Sequence, residues 1–547
     1  MTEFDYIIVG AGSAGCTLAR RLAESGDHTV LLLEAGGSDR RPWIQVPIGY
    51  GKSFYDPRVN WMYSTEPDPA LDRRPGYWPR GKVLGGSSSI NAMVHIRGLA
   101  ADFDDWRKEG NPGWAWDDVL PYFRKAETYH GGNNAVRGTD GPLHVSDVAG
   151  ECHPLCEVFL RACEELGLRR SPDLNGADPE GVGLYQITTQ GGLRMSASRA
   201  YLRPVIGRQN LRVELRAHAT RILFEGTRAA GVEYIQRGAR RGARARGEVI
   251  VAAGSVNTPQ LLQLSGVGPA AILARHGIGI VRESPAVGGH LQDHLCIDHL
   301  YRSRCPTLNA DLGRWTGRIR AVLRYAAFRR GPLALSVNQA GGFVRTRDDL
   351  PRPDVQLYFS PLSYTRAPPG QRALMRPDPF PGFLLSAQPC RPASRGHIRI
   401  RSADPFAAPE IVPNSLSAEA DLPALLAGTK FLRRLASSPS LAAIIAEEMK
   451  PGPAVRTEDE FIADLRQRAS SVFHPVGTCR MGPDPRNSVV DHELKVRGLL
   501  GLRVVDASIF PTVTSGNTNA PTIMVAEKGA DLVLGDARRW PVGIAAG

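Results

Sequence analysis

Long apolar runs are missing from this sequence; no stretch reaches about 18 residues, which excludes a membrane-spanning helix. The chain enters "FDYIIVG" directly, without a basic start, an apolar stretch and a small-residue cleavage site, so no secretory signal peptide is expected. No CxxC pair occurs among the eight scattered cysteines. That speaks against a disulfide framework and for free thiols in a reducing cytoplasm. Cys152, Cys156 and Cys163 fall on one helical face near His153, and read as buried thiols rather than as a metal site; no metal is expected. Acidic residues are fewer than basic ones, 55 against 67, for a net charge of +12. Such a charge suits nucleic acid or an anionic membrane. The densest basic cluster, "RGARRGARARG" from Arg237 to Gly247, lacks the interleaved aromatics of a nucleic-acid groove. Flanked by strand-like segments, it reads as a solvated hairpin loop, and no nucleic-acid partner is expected.

What is present begins with length: 547 residues exceed the usual single domain. The first forty read strand, glycine turn, helix, strand. Phe4 to Val9 is largely apolar, Gly10-Ala11-Gly12-Ser13-Ala14-Gly15 fits GxGxxG, and the apolar run of "TVLLLEAG" ends at Glu34, followed by Ala35. Gly10 permits the tight turn, Gly12 admits a pyrophosphate to the backbone, and Gly15 lets helix and strand pack closely. Backbone N–H groups at the helix start, from Ser13 and Ala14, complement phosphate charge. Glu34 is placed to accept hydrogen bonds from ribose hydroxyls. The fingerprint by itself leaves FAD and NAD both open.

Two further stretches choose between them. "GKVLGGSSSINAM" (Gly81 to Met93) is a glycine-serine loop entering an apolar segment, and "GSVNTPQLLQLSGVG" (Gly254 to Gly268) follows the apolar strand "EVIVAAG". With the N-terminal fingerprint and "HPVGTCRMG", they resemble the two signatures of the glucose–methanol–choline (GMC) family of FAD-dependent oxidoreductases, in the family's order from about residue 4 to about 535. The resemblance implies an α/β fold, α+β overall. A Rossmann-type FAD-binding domain would interleave with a substrate domain built on an antiparallel sheet with helices. Expected boundaries are 1–300 for the N-terminal region, with a substrate-domain insertion at about 150–205, then 301–465 for the substrate domain and 466–540 for the return to the FAD domain. It further implies FAD contacts at Val83, Gly85, Gly86, Ser87, Asn91 and Ala92, at Ala219 where the family usually has valine, and at Asp506, Ala507 and Thr518. Some members link FAD to a histidine in the glycine-serine loop; Ile90 stands there in this chain, so FAD is expected to be non-covalent.

Oxidising an alcohol at a flavin requires a base within hydrogen-bond reach of the hydroxyl. The resemblance assigns that role to His474 of "HPVGT" and its companion's role to Asn519 of "GNTNAPT". No GxSxG elbow supports a hydrolase. Gln339, before "AGGF", replaces an acid often seen there in relatives, which points from choline toward a neutral primary alcohol. Cys390 corresponds to a cysteine of the family's photodecarboxylases, and a lyase or decarboxylase stays as the alternative class. The chain is most similar to the choline-dehydrogenase branch, so a dehydrogenase is favoured over an oxidase. The acceptor is left open between a quinone, an artificial acceptor and O2. Finally, "GRWTGRIRAVLRYAAFRRG" carries Ile319, Val322, Leu323 and Ala326 on one helical face, with arginines beside it. Such a helix either packs on its own domain or lies on an anionic membrane; both readings stay open. The expected location is the cytoplasm, with or without membrane association.

Overall fold

The computed structural model describes residues 1–131, 135–365 and 376–538. Residues 539 and 540 of the expected C-terminal segment, and 366–375 of the expected substrate domain, lie outside that set.

Two sheets organise the chain. The first has seven strands and holds the N-terminal fingerprint. Strand Thr2–Val9 lies between Val30–Glu34 and Ala239–Val251, parallel to both, and Leu211–Leu215 extends the sheet beyond Val30–Glu34. Leu502–Val504 pairs in parallel with the end of Ala239–Val251, bringing the C-terminal segment to the same edge. Val30–Glu34 is buried along its whole length, as a strand covered on both faces must be, and its unbroken apolar run reflects this. Helix Ser13–Glu24 covers one face with Leu18, Ala19 and Leu22, and packs against helix Asn519–Ala537.

The basic cluster is not a loop. Strand Ala239–Val251 contains Arg240, Arg241, Arg244 and Arg246, and only Arg237 and Gly238 form the turn, both with positive φ (50° and 79°). Two left-handed residues in succession match the twist of the flanking strands, so glycine at 238 permits a two-residue hairpin and the arginines join the ladder.

The second sheet is antiparallel, in the order Ala340–Val344, Val355–Ser360, Gly382–Pro389, Leu295–Ser303, Ile445–Lys450. Helix Asp421–Ala436 packs on it, and Leu155, Phe159 and Val182 from the earlier segment join its core. Met195, Ala200 and Tyr201 pack instead in the core of the first sheet. Short strand Ser470–Ser471 pairs with the start of Leu295–Ser303, and Gln292 bridges Val476. These two chain segments therefore run antiparallel side by side, next to the carboxyl ends of the parallel strands.

Candidate active site

A cavity of about 630 Å³ lies where the two sheets meet. Its wall includes the ends of the parallel strands (Val9, Glu34, Ala252) and, from the second sheet, Leu295, Tyr358 and Leu384. Open α/β sheets bind ligands at this end of the strands.

Most of the expected cofactor residues line it: Gly10, Gly12, Ser13, Ala14, Glu34, Ala35, Gly86, Ser87, Asn91, Ala92, Ala219, Asp506, Ala507 and Thr518. Three do not, because they support the wall from behind. A Cβ on Gly15 would stand 1.8 Å from the Gly10 carbonyl oxygen, the close packing expected of the third glycine. Val83 is fully buried in a small cluster with Ile44, Val59 and Ile90. Gly85 adopts φ +84° and donates its N–H to the Ala11 carbonyl, joining the glycine-serine loop to the fingerprint turn.

The cradle fits a dinucleotide. No atom lies within 4 Å of a Cβ built on Gly12, so the missing side chain leaves open space. A Cβ on Gly86 would come within 2.7 Å of the Gly12 Cα, so the two glycine loops abut. Helices Ser13–Glu24 and Asn519–Ala537 both start at the wall and direct unpaired N–H groups and positive dipole ends toward it. Glu34 accepts from the backbone N–H groups of Ala11 (3.0 Å) and Gly36 (2.7 Å), and burial raises its pKa to about 7. Its remaining lone pairs can take ribose hydroxyls. The Asp506 carboxylate accepts from Gly254 N–H, the Thr258 hydroxyl and Ser508 N–H, so its side chain ties helix Gly254–Leu264 to the C-terminal segment.

His474 and its expected partner Asn519 both line the cavity, but Asn519 bonds elsewhere. Asn519 opens the C-terminal helix and turns its Oδ1 to the Ser13 hydroxyl, 2.7 Å away. The amide beside His474 is Asn517, whose Nδ2 lies 3.2 Å from His474 Nε2. Only Thr518 separates these asparagines, but one ends a loop and the other begins a helix, so their side chains diverge. The loop is held from beneath: Asp102 accepts from Ser515 N–H (2.7 Å) and Ser515 Oγ (2.9 Å). Gly516 takes φ +91°, where any Cβ would meet Ile96 at 2.5 Å. The sequence offers both asparagines of "GNTN", and the glycine directly before Asn517 is the local signal that sets it on the turn facing His474.

His294 was missed altogether. It lies on the strand-like segment antiparallel to Ser470–Val476, and its Nδ1 is 3.1 Å from His474 Nδ1, the rings crossing at 88°. The backbone N–H groups of His294 and His474 both donate to Asp293 Oδ1, while the Ser471 hydroxyl donates to Oδ2. Arg80 donates to the Phe473 carbonyl at 3.1 Å. Burial pulls the His474 pKa well below its ordinary value, with His294 and Arg80 adding to the shift. His294 falls to about 4 for the same first reason, and Asp293 rises to about 6. An aromatic group, Tyr50, Phe54 and Phe473, lines the wall beside the base.

Two other expectations change. Gln339 does not face the cavity; its Oε1 accepts from His153 N–H at 2.7 Å, so its neutrality says nothing about the substrate's charge. Cys390 does not itself line the cavity; it is buried in a cluster with Val94 and Tyr358, which do line it, so the thiol sits one layer behind the wall.

Comparison with known proteins agrees with this architecture. Family models described as GMC oxidoreductase match residues 4–296 and 392–526. The chain belongs to the GMC oxidoreductase family. It is therefore an FAD-dependent oxidoreductase acting on CH–OH donors. This GMC oxidoreductase is 45% identical over 536 residues to alcohol dehydrogenase [acceptor] of Pseudomonas putida, covering 97% of this chain and 96% of the relative. It is 43% identical to mitochondrial choline dehydrogenase of Mus musculus, covering 97% and 90%. Among solved structures, pyridoxine 4-oxidase from Mesorbium loti superposes with a TM-score of 0.86 at 30% identity, covering 96% of this chain and 98% of that one. Among the described residues, no helix is long and apolar enough to cross a membrane.

Proposed function

We propose that this enzyme oxidises a primary alcohol to the aldehyde, with His474 Nε2 taking the hydroxyl proton and the Asn517 amide holding the substrate oxygen. The observation that carries this reading is the pair itself: an imidazole nitrogen and an amide 3.2 Å apart on the cavity wall. An alcohol is a weak acid, so its oxygen needs both a proton acceptor and a donor for the charge that develops. When bound, FAD supplies the acceptor for the hydride leaving carbon. Gly10, Gly12, Glu34 and the Gly86–Ser87 loop would hold it, and the start of helix Asn519–Ala537 would place positive potential beside it. Ile90 is buried among Ile44, Val59 and Val83 and has no nucleophilic atom, so acid denaturation should release the flavin. Tyr50, Phe54 and Phe473 favour an uncharged alcohol with an apolar chain or ring. The same rings could face a trimethylammonium group, so choline is the second substrate reading. Anaerobic mixing with aliphatic alcohols, benzyl alcohol and choline, followed by flavin bleaching, tests both. No bleaching by any alcohol would sink the reading, and readmitting air separates an oxidase from a dehydrogenase.

The partner reading concerns helix Trp315–Phe328. Its apolar stripe faces solvent: Trp315 is 73% exposed, Ile319 50%, Val322 54%, Leu323 64% and Phe328 71%. The side packed on the domain carries Gly317, Ala321 and Tyr325. Arg318, Arg320, Arg324, Arg329 and Arg330 outnumber the two carboxylates that pair with them, Asp311 and Glu151. Lys52 lies over the half-exposed Trp43 ring nearby. This face suits an anionic bilayer, from which a lipid-dissolved quinone would reach the enzyme as electron acceptor. The protein should sediment with phosphatidylglycerol vesicles and not with phosphatidylcholine, and Leu323→Ser with Ile319→Ser should release it. Equal partition to both vesicles, or a stable dimer by light scattering that the double variant breaks, would assign the face to something else.

A further inference from the structure

We propose that His294 is a positioning residue that fixes the tautomer of His474. The inference rests on the reading of His474 as the base. His294 Nε2 lies 3.0 Å from the Cys390 carbonyl oxygen. A carbonyl has no proton to give, so His294 Nε2 must carry the hydrogen and donate. His294 is fully buried with no carboxylate at hydrogen-bond distance from its ring, and it stays neutral; its Nδ1 is therefore a lone pair. That lone pair faces His474 Nδ1 at 3.1 Å. Two bare nitrogens, or two protonated ones, would repel at that distance, so His474 Nδ1 carries the hydrogen and donates to His294. His474 Nε2 is then left bare, and the Asn517 amide N–H points at it. The chain Asn517 amide to His474 to His294 to the Cys390 carbonyl has a single consistent polarity, ending on an acceptor that cannot change sense.

The consequence is chemical. A free neutral histidine side chain favours the proton on Nε2, the state in which that nitrogen cannot accept one. His294 reverses the preference before substrate arrives. The ring nitrogen a histidine uses is set by the hydrogen bond its other nitrogen makes. The groups around the pair do not compete for the role. Asp293 is engaged by backbone N–H groups and Ser471, Arg80 by the Phe473 carbonyl, and Arg391 beside His294 is cationic and cannot accept a proton.

The test uses flavin-loaded enzyme labelled with 15N-histidine, with the His474 signals assigned by their loss in His474→Gln. Wild type should show His474 protonated at Nδ1 and bare at Nε2. His294→Asn keeps an acceptor oxygen at the δ position; His294→Gln and His294→Leu do not. Both of the latter should lose on the order of 10- to 100-fold in flavin reduction by benzyl alcohol or 1-hexanol, part of what a positioned base contributes, with little change in alcohol affinity. In both, His474 should shift toward the Nε2-protonated form, and His294→Asn should recover most of the rate at equal flavin content. A purely structural histidine would make Asn no better than Gln. A wild-type spectrum with His474 protonated at Nε2, or Asn and Gln variants of equal rate, would overturn the proposal. If His474→Ala reduces flavin at the wild-type rate, the base reading fails, while the spectrum still judges the tautomer separately.

Discussion

The buried histidines His95 and His474 sit in clusters that differ in their partners. His95 Nε2 donates to Glu127 at 2.8 Å, and the same carboxylate accepts from Arg97 (2.6 Å), Arg137 (2.7 Å) and Gly138 N–H (3.2 Å). Despite its burial, the two guanidiniums and the histidine hold Glu127 well below the usual carboxylate range. His474 meets a neutral histidine and a neutral amide instead. Burial lowers the pKa of both histidines. Only in the second cluster is the imidazole nitrogen on the cavity side without a carboxylate to hold its proton in place. Burial therefore does not by itself make a base. The acid–base character of the neighbour decides whether the ring locks a fold or exchanges a proton.

The sharpest contrast comes from removing each cluster's centre. His474→Ala should lose about 10²- to 10⁴-fold in the rate of flavin reduction, with flavin content and melting temperature near wild type. A wild-type rate would end the distinction. Glu127→Gln should do the opposite. It strands Arg97 in the interior and leaves Arg137 with Asp173 as its remaining carboxylate, and should cost roughly 3–5 kcal/mol in denaturant unfolding, while each molecule that keeps its flavin reduces it at close to the wild-type rate. A stable but slow Glu127→Gln enzyme would mean the ionic cluster takes part in chemistry.

The two asparagines refine the comparison within the second cluster. Asn517→Ala should lose on the order of 10- to 1000-fold in flavin reduction, as for one donor to a developing oxyanion. Asn519→Ala should lose less rate and show its effect first in flavin occupancy, since its contact is with Ser13. The reverse ranking, read by stopped-flow reduction and flavin absorbance, would restore Asn519 as the partner.

Acid should separate the clusters most gently. Flavin reduction rises with pH as His474 Nε2 becomes bare, and because burial lowers that pKa the midpoint should fall below 6.5. Glu127 is shifted down from 4.5, so its stabilisation is full above that pH and is lost as pH falls through the depressed value. The gap in stability between wild type and Glu127→Gln should therefore persist at pH 5 and close only in stronger acid. A gap that closes near neutrality would contradict the shift.

Local order carried the nucleotide half of the molecule. The spacing of Gly10, Gly12, Gly15 and Glu34 predicts a strand–turn–helix–strand, because each glycine answers to a steric demand within a few residues of itself. The structure adds only which of them face the cavity and which brace it. The family signatures likewise placed His474 on the wall, since the loop that carries it is irregular for the length of its motif. Three matters were beyond reach, each because it depends on chain segments far apart in sequence. His294 meets His474 across 180 residues, through a register between two strand ends that no local pattern announces. Asn517 and Asn519 differ only in which side of a helix start they occupy. The stripe Trp315, Ile319, Val322 and Leu323 has the period of a helix buried on its apolar face, yet Gly317 and Ala321 let the helix backbone approach the domain from the other side. Periodicity determines that a face exists; the fit of the neighbouring surface decides which way it turns.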